Sequence, residues 1–368
     1  MNAMRKLIAI SFLLSAAAEL SAQDIIKFKD SAKNNDMEGS IASMSYKLVE
    51  IEINIGGTLT KQPADARQIA DLIPSNSNKT FDFAQGEVAM ANGDFDSAVE
   101  RFERVKKDAR ASELQKQLSG INIVRSQYYK GNPNAVAQAA QSMRAWKADS
   151  FYTRESFVLE VKAYIAMRDA NRATNALKAF AAKGNADGMQ EWAKSADLME
   201  AELAELKSNW RDALTIYKKY SRDHDVGEDA TLGEMRCLTS LADWTSLNSR
   251  ADSIISDAKG KKNYNSRLLI AAYNGKGDMD MSTSKTKEAL LDYLQGAIVL
   301  SKGETSPEHE ASLSRCSIAC AKLAAAEKDK AKKDTYRNRA LEMLAELDKT
   351  YPKSPKRADA DKAIKEVK

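Results

Sequence analysis

The chain has 368 residues, of which 43% are hydrophobic, 29% charged and 7% aromatic; this excludes a disordered chain and is ample for a sizeable core. Its 56 Lys and Arg against 52 Asp and Glu leave a net charge of +4, interleaved along the sequence, which excludes the basic footprint of a nucleic-acid-binding protein. The steepest local bias, fourteen Lys and Arg against nine Asp and Glu between Lys322 and Lys368, reads as a solvated helix face.

At the N-terminus, Arg5 and Lys6 precede "LIAISFLLSAAA", an apolar run too short to span a bilayer, and Leu20, Ser21 and Ala22 offer a small-residue cleavage site. Residues 1–22 are therefore expected to be a signal peptide. Gln23 and Asp24 stand where a lipoprotein would carry its Cys, so the expected product is exported, periplasmic or secreted in a bacterium, without stable membrane insertion after cleavage.

Residues 23–73 predict a small β unit. "DIIKFKD" is short and β-branched, and in "IASMSYKLVEIEINIGG" Val49, Ile51, Ile53 and Ile55 alternate with Glu50, Glu52 and Asn54. Such alternation places the aliphatics on one face of an antiparallel strand ending at Gly56-Gly57. A further strand is expected around Leu59 to Gln62, making a β-meander or SH3-like unit. The segment "ADARQIADLI" is expected to close it as a helix before Pro74, and "PSNSNKT", within residues 74–80, reads as a linker.

From residue 81 to 368 the pattern is helical, with breaks every 15 to 20 residues. In "AQGEVAMANGDFDSAVERFERV", short side chains at Gly86, Ala89, Gly93 and Ala98 combine with Phe95 and Phe102, as if two antiparallel helices met at Gly86 and Ala98 with the two Phe rings filling the gap around them. The same four offsets recur 115 residues on as Ala201, Trp210, Ala213 and Tyr217, and Trp244 lies 34 beyond Trp210. Helical segments near Ala135 and Ala173 follow Ala98 at steps of 37 and 38, and "ALEMLAELDKTYPKSP" ends a last one at Pro352. Another helical pair is expected around 266 to 300, divided by a loop from Gly275 to Ser284.

These spacings resemble the tetratricopeptide repeat (TPR), with departures at Gln85, where an apolar residue is usual, and at Met235, which replaces the small residue in the Trp244 copy. The resemblance implies a mostly α architecture, a TPR-like α-solenoid of antiparallel helix pairs preceded by the β unit. It also implies a concave surface lined by the first helix of each pair and suited to a peptide or another protein. TPR groove positions fall on Phe83, Glu87 and Met90, and on Leu198, Glu202 and Glu205.

Catalytic patterns are sparse. His224 and His309 are far apart and join no metal or triad motif, and both are expected at the surface. Asp278 and Asp280 in "GDMDMSTS" lack the remaining ligands of a calcium loop, and no phosphate-binding glycine motif occurs. Cys237, Cys316 and Cys320 are odd in number, and the i, i+4 pair on one helix is ill-suited to a disulfide, so all three read as core residues. No cofactor or metal is expected. The leading function is a non-enzymatic scaffold or adaptor of the bacterial envelope. The alternative gives the β unit a small molecule, glycan or envelope polymer, with the solenoid as spacer or oligomerisation arm; an uncovered apolar patch on the β unit would favour it.

Overall fold

The computed structural model describes residues 23–29, 34–259, 265–299, 305–352 and 354–367; the expected signal peptide, residues 1–22, lies outside them. The chain divides into two compact units between Met199 and Glu200.

The first unit opens with five strands, β1 (Asp24–Phe28), β2 (Met37–Met44), β3 (Leu48–Ile55), β4 (Thr58–Asp65) and β5 (Ile69–Ile73). They form an antiparallel sheet in the order β4-β3-β2-β1-β5. The alternation in β3 holds where the sheet is covered, with Val49 and Ile51 at 0% exposure, and fades toward the hairpin, where Ile55 is half exposed. Gly56 and Gly57 both take positive φ, as a two-residue hairpin turn requires.

Two expectations for this region are corrected. The stretch from Ile41 to Ile55 is two strands, because Ser45 folds the chain back: its Oγ accepts from the Lys47 and Leu48 amides, and its own amide reaches the Leu48 carbonyl at 2.8 Å. The expected closing helix is strand β5. Asp65 caps a single 3-10 turn over Ala66–Gln68, and the chain then pairs with the free edge of β1. Ile69 and Leu72, three apart, suggest a helix face, yet the register skips Ala70 between Phe28↔Ile69 and Lys27↔Asp71. This bulge turns both side chains to the same buried side, at 3% and 1% exposure.

Residues 74–80, read as a linker, are tied down on both sides. The Ser75 amide donates to Asp24, the Thr80 amide to the Gln115 side chain, and Gln115 Nε2 to the Asn78 carbonyl. Seven helices follow: α1 (Phe81–Ala91), α2 (Phe95–Lys107), α3 (Glu113–Tyr129), α4 (Pro133–Trp146), α5 (Thr153–Ala166), α6 (Ala170–Ala186) and α7 (Gln190–Leu206), with the division between units falling inside α7. Sheet and helices share one core, in which Ile26, Val49, Ile51 and Leu72 join Phe83, Phe102, Leu114 and Ile121. Burying each such side chain stabilises by roughly 1.5–3 kcal/mol, so the sheet draws on the helices for a core it could not build alone.

The second unit continues with α8 (Trp210–Tyr220), α9 (Gly227–Ser240), α10 (Trp244–Ala258), α11 (Ser266–Ser282), α12 (Thr286–Ile298), α13 (Pro307–Ala326), α14 (Lys330–Thr350) and α15 (Arg357–Lys365). Apart from α7, where the division falls, each helix packs on its neighbour in sequence. Alternate helices also touch, α3 with α5 and, in the second unit, α9 with α11 and α11 with α13. First helices of successive pairs therefore stand side by side.

The short side chains lie where helices close on aromatic rings. A Cβ on Gly86 would fall 2.8 Å from the Phe102 ring, one on Gly277 would fall 2.4 Å from Tyr293, and Ala98, Ala201 and Ala213 are fully buried. The expected loop from Gly275 to Ser284 is corrected as well: α11 runs unbroken through Gly275 and Gly277 to Ser282. Their absent Cβ atoms make room for Leu247 and Met235 at one and Tyr293 at the other, so here glycine marks close packing rather than a chain break. The real turn comes at Ser284, with φ 62°.

That turn recurs. Gly93, Gly131, Arg168, Ser208, Ala242 and Ser284 all take left-handed φ at the exit of the first helix of a pair. Asp94, Asn132, Asp169, Asn209 or Asp243 then follows in all but the last, and Asp94, Asn132, Asp169 and Asp243 cap the next helix through their side chains.

Candidate functional site

A cavity of about 490 Å³ lies in the second unit. It is lined chiefly by α9, α11 and α13, with Glu205 at the end of α7, Trp210 opening α8 and Lys356 preceding α15. Local sequence fixes the ends of its walls. Asn265 caps α11 by accepting the Leu268 amide at 2.9 Å, and Ser306 caps α13 by accepting the His309 amide at 3.1 Å with Pro307 in the first turn.

Arginine–carboxylate pairs cross between these helices. Arg236 of α9 holds Glu205 with two nitrogens at 2.8 and 3.1 Å, and the hydroxyl of Tyr217, from α8, donates to the same carboxylate. Arg315 of α13 holds Asp278 of α11 at 2.7 Å, and Tyr293 donates to Asp278 at 2.9 Å. Arg267 reaches Glu308 at 3.1 and 3.3 Å and Glu228 at 3.0 Å, joining α11 to both neighbours. Buried Asn274 donates to the Glu308 carbonyl and accepts from Ser312.

Electrostatics follow from burial. Burial and the nearby Glu205 charge push the Tyr217 hydroxyl well above the ordinary tyrosine range, and burial with Asp278 does the same to Tyr293. Burial raises the Asp278 carboxyl, an effect that Arg315 and Tyr293 only partly offset. For Arg236, burial disfavours the charge, but Glu205 outweighs it and holds the guanidinium protonated.

Of the six groove positions implied by the resemblance, Glu205 alone lines this cavity, and Glu202 stands half-buried one turn before it. Phe83 and Leu198 are corrected to core positions, at 0% and 7% exposure. Met90 packs half-buried against the first unit's core, and Glu87 pairs with Lys79 at 2.7 Å. Trp210, one of the repeat-spaced aromatic positions, also lines the cavity. The sequence reading missed Arg236, Arg267 and Arg315. The only signal for Arg236 and Arg315 was an acid on a first helix with a Tyr on the second and an Arg on the next first helix, and unequal turns and helix lengths hide it: Tyr217 follows Glu205 by 12, Tyr293 follows Asp278 by 15.

Other candidates resolve as packing. His309 is half-buried rather than at the surface, its ring nitrogens 2.9 Å from the Tyr351 hydroxyl and 3.0 Å from the Ala297 carbonyl, whereas His224 is exposed. Cys237, Cys316 and Cys320 are buried free thiols, pushed up by burial to about 12, 12 and 11. Among the described residues no three His, Cys, Asp or Glu side chains gather as a metal site, and no helix is long and apolar enough to cross a membrane. On the sheet, Leu48, Ile55 and Leu59 are exposed, but they do not form one patch. Leu59 is registered opposite Asn54, on the face away from Ile55, and Leu48 lies at the other end of β3.

No protein-family model and no curated protein matches the chain. A solved tetratricopeptide repeat protein from Parabacteroides merdae ATCC 43184 is similar in structure, with a TM-score of 0.51 at 13% identity, covering 77% of this chain and 97% of that one. The C-terminal part of a TPR repeat-containing protein from Cytophaga hutchinsonii also aligns, at a TM-score of 0.37 and 14% identity over 76% of this chain and 98% of the other. With its stacked helix pairs, small-residue contacts and recurrent turns, the chain has a TPR-like fold, preceded by a five-stranded antiparallel sheet.

Proposed function

We propose that this protein is an exported, non-catalytic scaffold of the bacterial cell envelope, and that it docks a segment of a partner protein in the cavity lined by α9, α11 and α13. The TPR-like fold supports a protein-interaction role, and the N-terminal apolar run supports export. One observation carries the choice of surface. The first helices of successive pairs wall a cavity of about 490 Å³ that mixes apolar Trp210, Leu232, Met235 and Ala311 with fixed charged groups, the composition expected of a pre-formed binding site.

Site-specific photo-crosslinking tests it. A benzophenone side chain at Ser240, in the cavity, yields adducts with partner proteins in bacteria, and one at Leu291, exposed on α12, does not. Equal labelling from both positions, or none from Ser240, refutes this surface. Finding Gln23 at the mature N-terminus in an extracytoplasmic fraction tests export separately.

A further inference from the structure

The cavity's hydrogen-bonding groups are not balanced. Each of its three carboxylates is already engaged within the protein: both oxygens of Glu205 by Arg236, with Tyr217 adding a third bond, both of Asp278 by Tyr293 and Arg315, both of Glu308 by Arg267. The cations keep donors in reserve. Arg236 spends Nε and Nη2 on Glu205 and Tyr217, which leaves Nη1, and half of its side chain is exposed. Arg315 spends only Nη2, leaving Nε and Nη1, and Lys356 has one bond, to Glu310. Four cations, Arg236, Arg267, Arg315 and Lys356, and three carboxylates line the cavity, and Glu228 and Glu310, outside the lining, take a further bond from Arg267 and Lys356.

We infer that the partner segment in this cavity carries an acidic side chain, whose carboxylate is received by the spare guanidinium nitrogens of Arg236 or of Arg315 while apolar neighbours rest on Trp210, Leu232 and Met235. This rests on the docking reading above and adds the chemistry of the occupant. A segment presenting cations would find no free carboxylate. A polyanion such as nucleic acid would bring successive phosphates against Glu205, Asp278 and Glu308, while Glu228 and Glu310 already match Arg267 and Lys356. One carboxylate on an otherwise apolar stretch matches both the unspent guanidinium donors and the apolar lining.

The test uses the full chain and random peptides displayed inside a phage coat protein, so that no peptide terminus is free. Sequences selected on the wild-type protein are expected to be enriched in Asp and Glu by about threefold or more over the starting library, beside apolar residues. Replacing a selected peptide's acid by its amide, or making the double variant Arg236→Gln and Arg315→Gln, is expected to weaken binding roughly tenfold, the loss of a charge-assisted hydrogen bond. Should that variant unfold, the wild-type protein decides: raising NaCl from about 50 to about 500 mM is expected to weaken the selected peptide roughly threefold or more. Selected peptides without acids, or acidic peptides held equally by the double variant or without salt dependence, overturn the inference while leaving the docking reading intact. Single-stranded oligothymidine binding with the same dependence on the two arginines overturns it in favour of phosphate recognition. If no peptide is selected at all, the docking reading falls, and this inference with it.

Discussion

The short residues between helices make a quantitative claim at Gly233. A Cβ there would sit 2.3 Å from Tyr217 Cζ, 2.4 Å from Cε1 and 2.5 Å from Cε2, where ordinary contact begins at 3.4 Å. Relief therefore needs about 1 Å of movement, and the ring cannot easily give it: Tyr217 is 1% exposed and its hydroxyl is held by Glu205 and Arg236. Overpacking of this kind costs about 1–3 kcal/mol, and the helix propensity gained by replacing glycine returns up to ~1 kcal/mol. Gly233→Ala should thus lose roughly 1–2 kcal/mol. Gly275→Ala, in the same unit, is the control, because its Cβ would meet Leu247 Cδ1 at 3.1 Å and Met235 Cε at 3.2 Å, the ends of flexible side chains. That variant should range from neutral to ~1 kcal/mol more stable. Urea unfolding followed by circular dichroism and tryptophan fluorescence separates the two, since a slope of ~2 kcal/mol/M turns the first loss into a midpoint lower by about 0.5–1 M. Equal midpoints for Gly233→Ala, Gly275→Ala and wild type would refute the claim that short side chains are required by ring-to-helix contact.

Other consequences are as direct. Ala242→Gly removes the penalty of a non-glycine residue at φ 54° and should raise stability by up to ~1 kcal/mol, read as a higher melting temperature; a lower one would mean the left-handed turn is not strained. Asp187 is held well below the ordinary carboxylate range by Lys47 at 2.9 Å, Tyr46 at 2.7 Å and Lys183 at 2.9 Å. A lowered folded pKa adds stability that is complete above about pH 4 and is lost as pH falls toward the folded value, so Asp187→Asn should cost ~1–2 kcal/mol at pH 7 and progressively less in acid titrations below pH 4. A loss unchanged at pH 2 would count against the carboxylate as its source. The three thiols, raised to about 11 to 12 by burial, should resist an aromatic disulfide reagent at pH 8 in the native protein and react in denaturant; fast native labelling would contradict their burial.

What could be read from the sequence, and what could not, divides on whether a contact is local. Gly86, Phe102, Ala213 and Tyr217 announce helix pairing because the two partners lie within a repeat of fixed length, and the structure places each pair in contact or in the core. The β5 segment misled because its i, i+3 aliphatics arise from a bulge opposite β1, some forty residues away, and local periodicity cannot distinguish that from a helix turn. Gly275 and Gly277 misled in the opposite sense: glycine in a sequence signals a break, but here the demand comes from Tyr293 and Leu247 on neighbouring helices. Phe83 and Leu198 show why sequence alone does not separate groove from core positions on a first helix. The apolar residues of a first helix serve the core and the open face alike, and only packing decides which.

The cavity and the helix pairing are consequences of the same contacts. Tyr217 lies against Gly233 and, from that seat, donates to Glu205; Tyr293 lies against Gly277 and donates to Asp278. In both places the missing Cβ sets the ring depth, the ring sets the carboxylate, and the carboxylate anchors an arginine of the next first helix, Arg236 or Arg315. The arginines are therefore oriented before any partner arrives, which lowers the side-chain entropy lost on binding. It follows that Gly233→Ala, by pushing Tyr217 off its seat, should disturb Arg236 as well as stability. A destabilised protein whose affinity for a selected acidic peptide is unchanged at a temperature where it stays folded would separate the two roles and show that the arginine finds its position without the ring.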